Sequence, residues 1–191
     1  MMRIITGRAR GTKLNMLEGL NTRPTSERTK EAIFSMIQFE VAESRNVLDL
    51  FAGSGQMGLE ALSRGASKAT FVDRERDAIS VIKQNVTKTR FENNSMVVMS
   101  EFEEFLNRVA NKEKYDLIFL DPPYASEFII KAINCLIRNK LLENDTIVVC
   151  ESQSFDFIET NVIKENFKII KQAKYGIAYV AILKYLEISE V

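Results

Sequence analysis

The sequence contains no histidine among its 191 residues. This absence excludes Ser-His-Asp and Cys-His nucleophilic catalysis, histidine general bases, and nearly all designs of zinc enzyme. Cysteine is scarce as well, because Cys135 and Cys150 are too few for a disulfide framework or a four-thiolate metal site. We therefore expect no metal, and a chemistry that depends on carboxylates, amides, hydroxyls or a reactive cofactor.

Long apolar runs are also missing. No stretch reaches the roughly 18 apolar residues that cross a bilayer, and the first residues do not form the apolar segment of a signal peptide. We expect a cytoplasmic protein with reduced thiols and no membrane partner. The composition, 46% hydrophobic and 27% charged, is typical of a globular protein, and the length fits one domain over residues 1–191. Nothing in the sequence demands a dimer, so we expect a monomer.

Charge is distributed unevenly, although the net charge is zero. Residues 1–30 carry seven basic and two acidic side chains, whereas the other 161 residues carry 19 basic and 24 acidic ones. A basic arm on a mildly acidic body predicts attraction to phosphate at one end of the molecule. Residues 1–40 are expected to form this extension, with short strands at 3–6 and 12–17 and a first helix capped by Thr25 or Ser26.

From residue 45 to 191 short apolar runs alternate with amphipathic helical windows. The runs are Val47–Phe51, Ala69–Val72, Met96–Met99, Leu117–Leu120 and Thr146–Cys150, and the windows are about 57–64, 75–90, 102–112 and 127–140. This alternation predicts a doubly wound, Rossmann-like α/β sheet that is mostly parallel. Phe167–Tyr175 and Ile177–Tyr185 predict an antiparallel hairpin at the C-terminal end.

A glycine-rich turn follows the first of these strands. Gly53, Gly55 and Gly58 satisfy G-x-G-x-x-G, and Asp73 lies 20 residues after Gly53, at the end of the next strand. Such a turn lets the backbone approach a ligand closely, and an acid at that spacing can accept hydrogen bonds from ribose hydroxyls. Asp49 stands in an apolar strand, which is costly unless it organises the loop or binds the ligand. The turn alone fits a nicotinamide-dependent dehydrogenase as well as other enzymes with nucleoside cofactors.

A second candidate site is Asp121-Pro122-Pro123-Tyr124, directly after a buried strand. The prolines stiffen the loop and leave carbonyl acceptors, while Tyr124 offers a ring that can stack on a planar base. Asp121 and the Pro122 carbonyl can hold both N–H bonds of an exocyclic amine, so that its lone pair points at an electrophile. With a sulfonium methyl in the glycine pocket, the reaction is methyl transfer, which needs no histidine.

The combination of Asp49-Leu-Phe-Ala-Gly-Ser-Gly with Asp121-Pro-Pro-Tyr resembles the S-adenosyl-L-methionine-dependent amino-methyltransferases. Further segments extend the resemblance over essentially the whole chain, to the RsmD family; they are Met2-Arg-Ile-Ile-Thr-Gly, Arg10-Gly, Arg23-Pro-Thr-Ser-Glu-Arg-Thr-Lys-Glu and Gly58-Leu-Glu-Ala-Leu-Ser-Arg-Gly-Ala. The resemblance implies methylation of the N2 amine of a guanine in 16S ribosomal RNA, with free rRNA or a partly assembled small subunit as partner.

The resemblance also implies roles for individual residues. Cofactor contacts are expected from Asp49, Phe51, Ala52, Gly53, Ser54, Gly55, Asp73, Arg74, Glu101 and Phe102. The target base is expected against Asp121, Pro122, Pro123 and Tyr124, and RNA phosphates against Arg8, Arg10, Arg23, Thr25, Arg28 and Lys30. Two positions depart from the family pattern: Glu101 stands where a shorter Asp or Asn often contacts adenine, and Lys30 stands where arginine is expected.

Three alternatives remain open from the residues alone. The Asp121 loop holds an amine without identifying its ring, so a DNA or RNA adenine-N6 methyltransferase fits it equally well. A nicotinamide-dependent dehydrogenase would use the same glycine turn, and an RNA-binding module would have lost catalysis. Glu151, at the end of the fifth parallel strand, is a further candidate for the substrate side of the pocket.

Overall fold

A seven-stranded sheet forms the centre of the part of the chain that the structure, a computed structural model, describes: residues 2–17, 26–122 and 125–187. Its strands are β1 (Asn46–Asp49), β2 (Lys68–Asp73), β3 (Ser95–Met99), β4 (Tyr115–Leu120), β5 (Leu142–Ser152), β6 (Phe167–Tyr175) and β7 (Ala178–Tyr185). The helices are α1 (Glu27–Met36), α2 (Gln38–Glu43), α3 (Gln56–Arg64), α4 (Arg76–Thr89), α5 (Phe102–Arg108), α6 (Ala125–Arg138) and α7 (Asn161–Asn166). Short 3-10 turns lie at Glu92–Asn94 and Asp156–Glu159.

The strand order is β3-β2-β1-β4-β5-β7-β6. The first five strands are parallel, and β7 is antiparallel to both β5 and β6. The order reverses at β1, where Asp49 pairs with Phe71 of β2 on one side and with Phe119 of β4 on the other. In open α/β sheets, ligands bind outside the carboxyl ends of the strands at such a switch point. The topology therefore directs attention to the loops after β1, β2 and β4.

Both faces of the sheet are covered by apolar side chains. Phe119 and Val149 belong to a buried cluster on the side of α1, α3 and α4, whereas Leu120 and Cys150 belong to a second cluster on the side of α5, α6 and α7. Strands covered on both faces are apolar at consecutive positions, which explains the continuous runs in the sequence. The edge strand β3 is the exception, since Met96 and Met99 are 47% and 60% exposed.

Most predicted elements are present with small shifts at their ends. Ser26 is the residue that caps α1, because its Oγ accepts the Thr29 amide at 3.1 Å. Helices α2 and α7 were not predicted, and α5 ends at Arg108, earlier than expected. Within the described ranges, no helix has the length and apolar character needed to span a membrane.

The two short strands predicted at 3–6 and 12–17 are wrong in detail. The segment folds back on itself, but its ladder is one isolated bridge between Arg3 and Lys13. The turn of this segment bonds to α3 instead: the Arg8 amide donates to the Ser63 carbonyl at 2.8 Å, and the Ala9 amide donates to Ser63 Oγ at 3.0 Å. Docking onto the end of α3 thus replaces a longer strand pair.

Candidate active site

The loop between β1 and α3 is held in a tight left-handed path. Gly53 and Gly55 have φ angles of 54° and 76°, which other residues rarely adopt. The Gly55 amide donates to the Ala52 carbonyl at 2.6 Å, and the Ala52 amide donates to the Val72 carbonyl at 3.0 Å. These bonds fix the loop between the ends of β1 and β2. A side chain built on Gly53 would meet no atom within 4 Å, so the loop faces open space.

Asp73, at the end of β2, organises this loop through its carboxylate. Oδ2 accepts the Gly53 amide at 2.8 Å, and Oδ1 accepts the Glu75 amide at 2.9 Å. Each carboxylate oxygen has a further acceptor position, and Asp73 is only partly buried. The carboxylate can therefore accept hydrogen bonds from a ribose diol lying in the open space over the loop.

Asp49 has a structural contact of its own. Its side chain is buried, and Oδ2 accepts the Gly58 amide of the first turn of α3 at 3.0 Å. Burial raises the pKa of Asp49 to about 7, the Gly58 hydrogen bond opposes this rise, and the charge of Asp73 adds to it. The carboxyl group at the base of the loop therefore changes its protonation near neutral pH.

Aromatic rings and a pair of opposite charges lie on the far side of the loop. The ring centroids of Phe51 and Phe102 are 5.3 Å apart, and Phe102 is buried. Glu101, which precedes α5, is 55% exposed in its side chain and lies 3.8 Å from Arg74. Arg74 also pairs with Glu75 at 3.1 Å. The predicted adenine contact at Glu101 is thus placed on a solvated rim beside Arg74.

These groups fit the cofactor that the sequence predicts. The glycine loop leaves room for close approach, Asp73 supplies acceptors for two hydroxyls, and Phe51 with Phe102 supplies an apolar surface for a base. Ala52 and Ser54 are buried parts of the same loop. Among the described residues, no group of three or more Cys, Asp and Glu side chains is arranged to hold a metal ion.

The second predicted site begins directly after β4. Asp121 lines a small pocket together with Glu151, which belongs to the last turn of the neighbouring β5 strand. The rest of its lining is apolar: Ile33, Met57, Phe119, Leu120 and Val149. Because β4 lies beside β1, this pocket and the glycine loop share the same edge of the sheet. Pro122 follows Asp121, whereas Pro123 and Tyr124 lie outside the described residues.

The predicted RNA contacts divide into three groups. Arg8, Arg10 and Arg28 are exposed, and the guanidinium of Arg8 lies 5.2 Å from the centre of the Phe91 ring. Arg23 and Thr25 lie outside the described residues.

Lys30 corrects the third part of that prediction. Its side chain is 0% exposed, and Nζ donates to the Arg3 carbonyl at 2.7 Å and pairs with Glu60 at 3.2 Å. Burial lowers the pKa of Lys30, and the carboxylate of Glu60 opposes that effect. An ammonium enclosed in this way does not reach an RNA phosphate. The basic spacing of the first helix suggested a solvated face, which hid the internal partner of Lys30.

Glu60 was not singled out in the sequence, yet it joins three segments. It is fully buried in α3, and its Oε atoms accept the amides of Ile5 and Thr6 at 2.8 and 3.0 Å. The same carboxylate receives Lys30 from α1 and, at 2.9 Å, Arg64 Nε from its own helix. An acid four residues before an arginine is usually a solvated pair, so the sequence offers no signal for this role.

Asn85 is a second buried residue that sequence reasoning missed. From α4 its Nδ2 donates to the Ser54 carbonyl at 2.9 Å, and its Oδ1 accepts the Asn15 amide at 2.7 Å. The cofactor loop, α4 and the N-terminal segment are therefore tied together by one amide. An asparagine within an otherwise amphipathic helix would have been the only hint.

Comparison with known proteins places this geometry in a family. A family model described as "Conserved hypothetical protein 95" matches residues 2–184. YlbH of Bacillus subtilis (strain 168) is 35% identical over 184 residues, which cover 96% of this chain and 98% of YlbH. Ribosomal RNA small subunit methyltransferase D of Haemophilus influenzae is 33% identical over 177 residues, which cover 92% of this chain and 90% of that protein.

A solved structure agrees with the sequence comparisons. That of yhhF from Escherichia coli superposes with a TM-score of 0.85 at 30% identity, covering 97% of this chain and 98% of the other. The predicted α/β methyltransferase fold is confirmed, and the dehydrogenase alternative finds no support among these relatives. The chain belongs to the Conserved hypothetical protein 95 family, which is the RsmD family of S-adenosylmethionine-dependent methyltransferases.

Proposed function

We propose that this protein transfers a methyl group from S-adenosylmethionine to the exocyclic N2 amine of a guanine in small-subunit ribosomal RNA. The observation that carries the proposal is the placement of the glycine loop after β1 and of Asp121 after β4, on neighbouring parallel strands at the switch point of the sheet. The name of the Haemophilus influenzae relative, which is a small-subunit rRNA methyltransferase, supports the substrate.

The cofactor, when bound, supplies an electrophilic methyl group on a positively charged sulfur. Asp73 holds the ribose hydroxyls, while Gly53 and Gly55 let the backbone approach it closely. Phe51 and Phe102 provide the apolar surface for the adenine. These residues fix the direction from which the methyl group faces the pocket of Asp121, which is the positioning that a displacement reaction requires.

Asp121 and the Pro122 carbonyl orient the amine that attacks. The amine of guanine is a poor nucleophile because its lone pair is delocalised into the ring. Two acceptors that hold its N–H bonds favour a pyramidal nitrogen whose lone pair points out of the ring plane. The N–C bond then forms as the C–S bond breaks, its electron pair stays on sulfur, and Asp121 takes the proton that the amine releases.

The exposed arginines of the N-terminal part supply the RNA-binding surface. Arg28 lies on α1, the helix whose Ile33 also lines the pocket of Asp121, so phosphate contacts there are close to the target base. The guanine must come from an unpaired or opened position, because a paired amine inside a helix is out of reach. The substrate is free rRNA or a partly assembled small subunit, and the protein acts as a cytoplasmic monomer.

The test is transfer of labelled methyl to small ribosomal subunits that lack the modification, followed by nucleoside analysis. Free rRNA and unmethylated DNA serve as parallel substrates. We expect label in N2-methylguanosine from the subunits. Label in N6-methyladenine would keep the amine chemistry but refute the base, since the Asp121 loop does not identify the ring.

A further inference from the structure

Glu151 faces the same pocket as Asp121, and the register of the sheet explains why. Leu120 of β4 pairs with Cys150 of β5, so the residues that follow them, Asp121 and Glu151, leave the two parallel strands side by side. Both side chains line one pocket, and Glu151 is partly buried there. Two acids at neighbouring strand ends are a costly arrangement unless a ligand with several donors accompanies them.

The remaining walls of this pocket are apolar. Ile33 comes from α1 and Met57 from α3, and Phe119 and Val149 come from the sheet face beneath them. An apolar enclosure with two carboxylates at one side suits a flat ring whose polar edge carries hydrogen-bond donors. The Watson–Crick edge of guanine has this character, because the N1–H and the N2 amine are adjacent donors. Adenine presents an acceptor at N1 next to its amine.

We infer that Glu151 determines specificity for guanine by accepting the N1–H of the base while Asp121 holds the N2 amine. This inference rests on the proposed function, which supplies guanine as the substrate. A carboxylate at N1 attracts guanine and repels the N1 lone pair of adenine, so the acid contributes selection against the wrong base as well as affinity for the right one. The Asp121 loop lacks this selectivity, since it contacts only an amine.

The test uses 2-aminopurine, which keeps the 2-amine of guanine but has an unprotonated acceptor at N1. The modified guanine is first located in the product. Subunits are then reassembled with rRNA carrying either guanine or 2-aminopurine at that position. We expect the wild-type protein to prefer guanine by about 10- to 100-fold in kcat/KM, as is typical for one specific base contact.

Two variants and one control isolate Glu151. Glu151→Gln can turn its amide to donate to N1, so the preference should narrow to within about threefold. Glu151→Ala should lose guanine activity while activity on 2-aminopurine stays nearly unchanged. Glu143→Gln removes an equal charge from an exposed position at the opposite end of β5 and should keep the wild-type preference. Because every variant is compared on both bases, the missing O6 of 2-aminopurine cancels.

The outcomes separate this inference from the proposed function. Binding of S-adenosylmethionine, measured by calorimetry, should be the same in all four proteins, and this verifies that each variant is folded. If the wild type forms N2-methylguanosine and both Glu151 variants keep its preference, the role of Glu151 is refuted and the proposed function survives. If the wild type methylates adenine instead, both fail together.

Discussion

Replacing Glu60 by glutamine should destabilise the protein by about 3–5 kcal/mol at pH 7, because it leaves a buried ammonium group without its counter-ion. The carboxylate lies 3.2 Å from Lys30 Nζ, and both side chains are 0% exposed. It also accepts the amides of Ile5 and Thr6, and glutamine can serve only one of them through its carbonyl oxygen. The substitution keeps the shape of the side chain, so the loss reports charge and hydrogen bonding rather than a cavity.

An upper limit follows from the titration of lysine. A buried ammonium without a partner releases its proton, and at pH 7 this costs about 1.4 kcal/mol for each pH unit below the ordinary lysine pKa of about 10.4. The total is about 5 kcal/mol. Burial already lowers the pKa of Lys30 in the wild type, and Glu60 opposes that shift. Removing the negative charge takes away the opposition and lowers the pKa further.

The pH dependence provides a signature that a simple packing defect lacks. In Glu60→Gln the folded state holds Lys30 neutral, whereas the unfolded chain still binds the proton, so stability rises with pH until the ordinary lysine pKa is reached. The stability difference between wild type and variant should therefore shrink from pH 7 to pH 9. Urea unfolding at both pH values measures it, with Glu31→Gln, an exposed acid on α1, as the control.

Three results decide the matter. A Glu60→Gln protein within 1 kcal/mol of wild type at pH 7 would refute the reasoning, as would a stability difference that grows with pH. Adding Lys30→Met to Glu60→Gln removes the stranded charge, so the double variant should regain most of the lost stability. Glu31→Gln should stay within about 0.5 kcal/mol of wild type.

Further predictions concern the loop, its packing and the basic surface. The pKa of Asp49 is raised to about 7, so the folded protein retains a proton that the unfolded chain loses from about pH 4 upwards. Wild-type stability should thus fall by up to about 4 kcal/mol as pH rises to 7, and Asp49→Asn should lack this slope in urea unfolding at pH 5 and 8. Gly58→Ala would place a methyl group 2.4 Å from the Phe71 ring, so calorimetry should show a lower Tm and a loss of about 1–3 kcal/mol; an unchanged Tm would contradict the packing. Arg8→Glu and Arg28→Glu should weaken RNA binding and lower its salt slope by about one per lost phosphate contact, measured by filter binding at several salt concentrations. An unchanged slope would exclude these residues from contact.

Much of the sheet could be predicted from the sequence, because buried parallel strands and amphipathic helices differ in period. The glycine loop and Asp73 were visible for a similar reason, since their spacing follows from one strand-turn-helix unit and the next strand. The partners of β5 were not predictable in this way. Pairing with β7 depends on where the C-terminal hairpin folds back, which no local pattern encodes.

The buried charges show the limit of local reasoning most clearly. Lys30 and Glu60 are 30 residues apart in the chain, and each has an exposed-looking helical context. Their enclosure depends on the N-terminal segment docking onto α3, where Arg8 and Ala9 use their amides on Ser63. The pairing of Asp121 with Glu151 at one pocket likewise required the register of β4 and β5.

The most direct test of the proposed chemistry compares methyl transfer and cofactor binding in Asp121→Ala. If Asp121 orients the amine, the rate of transfer to unmodified small subunits should fall by about 10²- to 10⁴-fold. The affinity for S-adenosylmethionine, measured by calorimetry, should stay within about twofold of wild type, because the cofactor loop and Asp73 are untouched. Transfer at the wild-type rate would contradict the assignment of Asp121 to the reacting amine.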